Sequence, residues 1–393
     1  MLAATVRVAG DLGLAEECVQ EAYASALSSW ERDGIPAKPG AWLTTAAKRR
    51  AVDTIRREST LRSKLPLIVE REGEETVTVA EEPDAVPDER LRLIFTCCHP
   101  ALAREAQLAL TLRLVCGLPT PDVARALLVS EQTMAARITR AKRKIAGARI
   151  PFRVPRPAEL PDRLAGVLGV VHLLFTAGHT APSGPSLMRA DLADRALGLA
   201  RTLRELMPDE PEVGGLLALL LVTDARRATR TGPDGRLLPL EEQDRSQWDR
   251  AALGEAHGLI VAGLRDGRAG RHLVQAAIAS VYASAPTYAE TDWAELVALY
   301  DRLLELWPSP VVALNRAVPL AMVRGPAAAL AVVETLEGDR RLERYQYLPA
   351  VKADLLRRLG RDAEAAQAYR RAIELTGNEA ERAFLVGRLG SAE

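Results

Sequence analysis

Between residues 131 and 145 the sequence reads EQTMAARITRAKRKI. Apolar side chains return at Met134, Ile138, Ala141 and Ile145, spacings of four, three and four that draw one stripe along an α-helix. Gln132, Thr133, Arg137, Arg140, Lys142, Arg143 and Lys144 fill the other faces, so the outside of this helix is basic. Upstream, Thr120 suits an N-cap, Pro121 the first helical position and Asp122 the first turn. That shorter helix runs to about Leu128, Val129 and Ser130 turn the chain, and Ser130 caps the basic helix. A short helix, a tight turn and a second helix, apolar inside and basic outside, predict a helix-turn-helix. The competing expectation is a plain helical hairpin with a solvated basic face.

The amino-terminal block has a complementary pattern. Asp11 opens a helix, DLGLAEECVQEAYASALSSW, in which Leu14, Cys18, Ala22 and Leu27 are predicted to face inward. Its outer face carries Glu16, Glu17, Gln20 and Glu21. The segment IPAKPG then breaks the chain with Pro36, Pro39 and Gly40. A basic helix follows, AWLTTAAKRRAVDTIRRE, with Lys48, Arg49, Arg50, Arg56 and Arg57 along it and Arg62 and Lys64 beyond. Asp53 is expected to pair with Arg49, Arg56 or Arg57. Residues 65–88 change character: Glu and Asp crowd around Pro66, Pro83 and Pro87, which predicts an extended acidic linker. About 24 residues reach up to ~80 Å when extended.

Beyond residue 150, PFRVPRPAELP marks a boundary, and helical segments then alternate with breaks at 208–211, 231–235, 267–270 and 308–310. Two stretches in the last hundred residues, VRGPAAALAVVETL and RLGRDAEAAQAYRRAIEL, each set a glycine before an Ala-rich helix, about 35 residues apart. That period matches a tetratricopeptide (TPR) array, with Ala365, Tyr369 and Ala372 as small-large-small packing positions. Two repeats fall below the three such arrays need, so an earlier helix around Trp293–Trp307 is expected to share the stack.

Composition narrows the class. Lys plus Arg and Asp plus Glu both number 52, so net charge is zero and only the local distribution speaks about partners. Scarce aromatics and absent β-branched alternation predict an all-α chain of 393 residues. No stretch approaches the ~18 apolar residues of a membrane span, the longest being Leu216–Val222 and Leu164–Phe175. Cys18, Cys97, Cys98 and Cys116 form no disulfide framework, which points to a reducing cytoplasm. Cys97-Cys98-His99 lacks zinc-ligand spacing and reads as a packed helix ending at a Pro100 turn. No P-loop, dinucleotide, nucleophile-elbow or H-E-x-x-H pattern occurs, so neither enzyme chemistry, metal nor cofactor is expected. DRSQWD, Asp244–Asp249, suits a ligand site or, as the favoured expectation, a capping network around a core Trp248.

The order AEECVQEAY, then PGAWLTTAAKRRAVDTIRRE, then the helix-turn-helix resembles a bacterial RNA polymerase sigma factor of the extracytoplasmic-function (ECF) type. TCCHPAL, DRSQWDRA and the helical second half resemble the ECF subgroup with a fused TPR-like extension. The resemblance implies sigma domain 2 over residues 1–64, the acidic linker over 65–88 and sigma domain 4 over 89–150. A connector (151–186), a helical extension (187–290) and TPR-like hairpins (291–393) complete the organisation. In this family domain two usually starts with more helix before the position of Leu2, so the first helix is expected to be short or missing.

The resemblance also implies roles. Glu16, Glu17, Gln20 and Glu21 would dock on core polymerase. Lys48, Arg49, Arg50, Arg56 and Arg57 would hold the minus-ten region, with Trp42 as a stacking or core residue. Gln132, Thr133, Ala136, Arg137, Arg140, Arg143 and Lys144 would meet the minus-thirty-five element. The expected function is promoter-specific initiation with core polymerase, regulated by the helical extension, whose groove would take a protein or peptide. The alternatives are a polymerase-independent DNA-binding regulator with a TPR sensor, and an enzyme with its site in the carboxy-terminal domain.

Overall fold

The computed structural model describes residues 1–64, 89–148, 150, 155, 159–233 and 235–391, the side chains of 58–64 and 89–90 excepted. The expected acidic linker and most of PFRVPRPAELP lie outside the described residues. Among those described, the fold is built from α-helices, with 3₁₀ turns and two isolated β-bridges.

The chain divides into two compact units, residues 1–120 with 132–170, and 121–131 with 171–393. In the first, α1 (Leu2–Ala9), α2 (Leu12–Asp33) and α3 (Pro39–Lys64) pack on one another. The Asp11 carboxylate accepts from the Leu14 N–H at 2.8 Å and caps α2 as expected. Cys18 and Ala22 are buried, but Leu27 is 77% exposed and Ala26 takes the inward place. Four residues on from Ala22 the helix returns to the same face, whereas five overshoots by more than a third of a turn. Val19, Ala22, Ala26, Leu43 and Ala47 form the small-residue core that lets α2 and α3 approach closely.

Further on in this unit come α4 (Glu89–Cys97), α5 (Arg104–Leu114), α7 (Glu131–Gly147) and the start of α8 (Leu160–His179). All four cysteines are buried thiols. Burial pushes the Cys98 thiol up to about 12, so it packs as a small hydrophobe. Gly166 lets α8 pass against Gln107 and Cys98, where a Cβ would fall 2.5 Å from the glutamine oxygen.

α8 corrects an expectation: its 20 residues are long and apolar enough to cross a membrane, with a mean hydropathy of 1.3 over the window. With 61% of that window buried, it serves here as a core helix.

The second unit holds α6 (Thr120–Ala126), then α9 (Ala190–Leu206), α10 (Pro211–Asp224), α11 (Arg250–Arg265) and α12 (Arg271–Ser284). α10 is apolar on nearly every side because it is wrapped by α9, α11 and α12. Gly215 permits the α12 crossing, since a Cβ there would lie 2.7 Å from the Leu273 backbone. Glu212 accepts from the His272 and Leu273 N–H groups at 3.0 and 3.1 Å, so it satisfies the open end of α12.

The chain then runs through α13 (Trp293–Leu306), α14 (Pro310–Arg324), α15 (Pro326–Leu336), α16 (Tyr347–Arg358), α17 (Asp362–Leu375) and α18 (Glu379–Gly390), each packed on the next. This is a TPR-like stack of hairpins. Both repeat glycines adopt left-handed backbone, Gly325 at φ 83° and Gly360 at φ 71°. Ala365, Tyr369 and Ala372 are buried in its core, and α13 joins the stack as the repeat count requires.

Candidate nucleic-acid and polymerase interfaces

α7 follows α6 through a turn whose geometry is that of a Schellman motif. The Leu128 N–H donates to the Arg125 carbonyl (3.1 Å) and the Val129 N–H to the Ala124 carbonyl (3.0 Å). Leu128 adopts φ 54°, a left-handed conformation that usually selects glycine, and is alone among the described non-glycine residues in doing so. The turn residue is therefore Leu128, one position before the expected pair.

On α7 itself Met134, Ile138, Ala141 and Ile145 are all buried, as their spacing predicted. Gln132, Thr133, Ala136, Arg140, Arg143 and Lys144 are exposed and Arg137 is half-buried. Among the described residues, Arg137, Arg143 and Lys144 have no carboxylate in ion-pair reach; Arg140 donates from Nε to the Ala136 carbonyl at 3.3 Å. An exposed row of unneutralised cations on a helix is the electrostatic footprint of a polyanion surface. Lys142 differs from them, as its ammonium is held by the Glu16 carboxylate of α2.

On α3 the basic residues split. Lys48 is half-buried, while Arg49, Arg56 and Arg57 are exposed. Arg50 turns back to α2, donating from Nη1 to Glu21 and from Nη2 to the Ser25 hydroxyl, both at 2.6 Å. Trp42 is half-buried against Trp30, edge to face at 5.5 Å between ring centroids, so in this arrangement it serves the α2–α3 core. Asp53 is exposed with no ion pair among the described residues, contrary to the local pairing expected.

On α2, Glu17, Gln20 and Glu21 are exposed and Glu16 is half-buried by its ion pair. Tyr23 (47%) and Leu27 (77%) are exposed beside them, an apolar contribution that the acidic pattern alone concealed. The signal was present in the sequence, since Gln20, Tyr23 and Leu27 stand at helical spacings of three and four. An open cleft of about 540 Å³ lies along α2 between Glu21, Ser25, Ser28, Arg32 and Arg50.

Within the second unit, α6 is gripped by the chain that follows α8. Arg125 donates to the Pro182 carbonyl, and the Ser183 hydroxyl donates to the Asp122 carboxylate at 3.1 Å. The Arg125 guanidinium lies over Gly377, where any Cβ would collide with it. No motif in the sequence signalled this contact.

Residues 2–60 match the family model Sigma-70 region 2, residues 92–145 match Sigma-70, region 4, and residues 163–263 match a family of unknown function, DUF6596. An uncharacterized protein of Rhizobium meliloti (strain 1021) is 42% identical over 388 residues, covering 98% of this chain and 91% of that protein. A probable ECF RNA polymerase sigma factor, SigI of Mycobacterium tuberculosis, is 30% identical over 155 residues, 39% of this chain and 52% of that one. The crystal structure of yeast Tom70 aligns with 99% of this chain and 81% of its own, at a TM-score of 0.37 and 12% identity, too low a likeness to carry weight. The chain thus carries two sigma-70 regions, in order on the acidic, basic and helix-turn-helix segments, followed by a helical carboxy-terminal extension, and in this it is similar to ECF-type RNA polymerase sigma factors.

Proposed function

We propose that this sigma factor docks on core RNA polymerase through Glu17, Gln20, Glu21, Tyr23 and Leu27 of α2. The same reading has α3 engage the minus-ten element through Lys48, Arg49, Arg56 and Arg57, and α7 read the minus-thirty-five element. Glu16, Arg50 and Trp42 hold helices together in the present arrangement and become available when those pairs open. Carrying this reading is the row of unpaired cations on α7 above a fully buried stripe. Phosphate contacts from such a row supply affinity, and Gln132, Thr133 and Arg137 near the helix start are where base edges are met. The work is that of binding, in the cytoplasm, with no covalent chemistry assigned to any residue.

Control by the extension is part of the proposal. The Arg125–Pro182 and Ser183–Asp122 bonds give the second unit a hold on the first helix of the DNA-reading motif. A partner or peptide on the hairpins would act through that hold, and coupling of this kind is worth ~1–3 kcal/mol, or roughly 5-fold or more in activity.

The test is in vitro transcription with purified core polymerase, comparing the full chain with Arg125→Ala. Promoter-dependent transcripts from the full chain, altered 5-fold or more by Arg125→Ala, are expected. No transcript together with failure to co-purify with core polymerase would overturn the sigma reading and favour a polymerase-independent regulator. Equal activity of the two proteins would overturn control through α6.

A further inference from the structure

Many arginines in the second unit are neutralised, as in the Arg201–Glu255 and Arg227–Asp194 pairs. Others are not, and three of these stand together. Arg226, Arg230 and Arg245 have no carboxylate in ion-pair reach among the described residues, although they emerge from two 3₁₀ turns, Arg227–Thr229 and Arg245–Gln247, that pack together. The Trp248 indole N–H ties these turns by donating to the Thr229 hydroxyl at 3.0 Å.

Arg245 is aimed by its surroundings. Its Nη1 donates to the Tyr282 and Ala285 carbonyls at 2.8 Å each, and its guanidinium lies 4.7 Å over the Trp248 ring. Its Nη2 is buried with no acceptor. The Arg226 side chain makes no hydrogen bond or ion pair among the described residues, and it stands close enough to Arg245 and Arg230 for their charges to interact. Burial and the Arg245 charge both push Arg226 down from its ordinary value. A buried donor left unmet costs stability, and like charges gathered in a low dielectric add to it.

Carboxylates are close by but committed elsewhere. Asp244 accepts from Ser246 and Gln247, Asp249 caps α11, Asp224 holds Arg227, and Glu381 takes the Tyr347 hydroxyl. Each neighbour serves the scaffold, while Nη2 of Arg245 is left without an acceptor and Arg226 without a carboxylate among the described residues. Planar arginine forks match the oxygens of a carboxylate or phosphate.

We propose that Arg226 and Arg245 form a binding site for the oxyanion group, carboxylate or phosphate, of a small molecule, with Arg230 adding charge behind them and Trp248 holding the frame. The DRSQWD segment then has two tasks: its aspartates and tryptophan cap and pin the turn, and its arginine faces the ligand. The site is assembled from the second unit alone and owes nothing to the α2, α3 or α7 interfaces.

The experiment is thermal unfolding of the full chain with inorganic phosphate or with citrate, each against sodium chloride at matched ionic strength. With a probe at about ten times its Kd, the wild-type Tm should rise by roughly 2–4 °C. Arg226→Gln should lose that rise while keeping its anion-free Tm equal to or above that of wild type, because an unpaired cation has been removed. Arg245→Lys should lose most of the rise, since an ammonium cannot present the fork. Phosphate acting and citrate not, or the reverse, assigns the oxyanion. Equal rises in wild type and Arg226→Gln, no rise with either probe, or a lower anion-free Tm in Arg226→Gln would each overturn the site.

Discussion

Along α7, Arg137, Arg140 and Arg143 have no carboxylate in reach among the described residues. In the hairpins from α13 onward, Arg302, Arg316, Arg357, Arg361 and Arg371 each hold an Asp or Glu between 2.6 and 2.9 Å. A chain with 52 residues of each sign is therefore neutral only in sum. In these hairpin pairs, opposite charges three residues apart or on neighbouring helices neutralise much of the surface and keep a repeat stack soluble. On α7 the same residue type is left unneutralised over a stripe that already secures the fold. The difference teaches that pairing, rather than the count of arginines, separates a polyanion surface from a solvated face.

The sharpest break of this comparison is to remove what holds α7 in place. Met134 is fully buried. Met134→Ala should cost about 2–5 kcal/mol, read as a fall in Tm and loss of promoter binding together. A stable variant that still lost DNA binding would mean that the stripe itself meets DNA.

The buried stripe was legible because four apolar residues at α-helical spacing admit one inward face. The hairpins were legible for the same reason, joined to glycines at Gly325 and Gly360 where left-handed backbone is needed. Leu27 departs from the expected inward stripe because it stands five residues from Ala22, and the helix turns it out to solvent. The resemblance points Arg50 and Glu16 outward and leaves Trp42 between stacking and core, yet each finds a partner that is distant in sequence: Glu21 for Arg50, Lys142 for Glu16 and Trp30 for Trp42. Periodicity reports a helix's own faces and carries no record of which neighbour arrives. For the same reason Arg125, gripped by Pro182, and the unpaired trio Arg226, Arg230 and Arg245 left no sequence pattern.

Acid should act next, on α8, which belongs to neither region. The His172 imidazole, against His272 at 5.6 Å and near Arg271, is pushed from 6.5 down to about 3, chiefly by burial and then by those two neighbours. An unfolded imidazole binds its proton as pH falls through 6.5, while the native one waits until about 3. Stability from this residue is thus full above 6.5 and is lost progressively as pH falls toward 3. Tm measured across this range should drop less in His172→Gln than in wild type. An equal slope in both proteins would remove His172 from the acid response.

Among the unpaired cations, base reading and phosphate contact should come apart. Arg137→Ala is expected to cost ~1–3 kcal/mol and to relax specificity at one position, as for loss of a bidentate base contact. Replacing Arg143 and Lys144 together by alanine should weaken all sequences alike and flatten the log K against log salt plot by about 2. Lys142→Ala should have a smaller effect on that slope, because Glu16 already occupies its charge. Identical, sequence-independent losses in all three would leave α7 with phosphate contacts and no reading residue.

The smallest expected effect tests the comparison from its other side. Arg371 and Glu374 on α17 lie 2.9 Å apart with side chains 53% and 64% exposed. An ion pair in that setting gains little, because water screens the attraction and two long side chains must be held still. A double-mutant cycle of Arg371→Ala and Glu374→Ala should therefore give a coupling of ~0.2–1 kcal/mol. More telling is what should stay constant: removing Arg371 leaves Glu374 uncompensated on a face that meets no phosphate, so the salt dependence of promoter binding should not move. Should Arg371→Ala flatten the salt plot by about 1, as loss of a phosphate contact does, paired arginines would count as DNA contacts too. Pairing would then no longer mark where the polyanion surface ends.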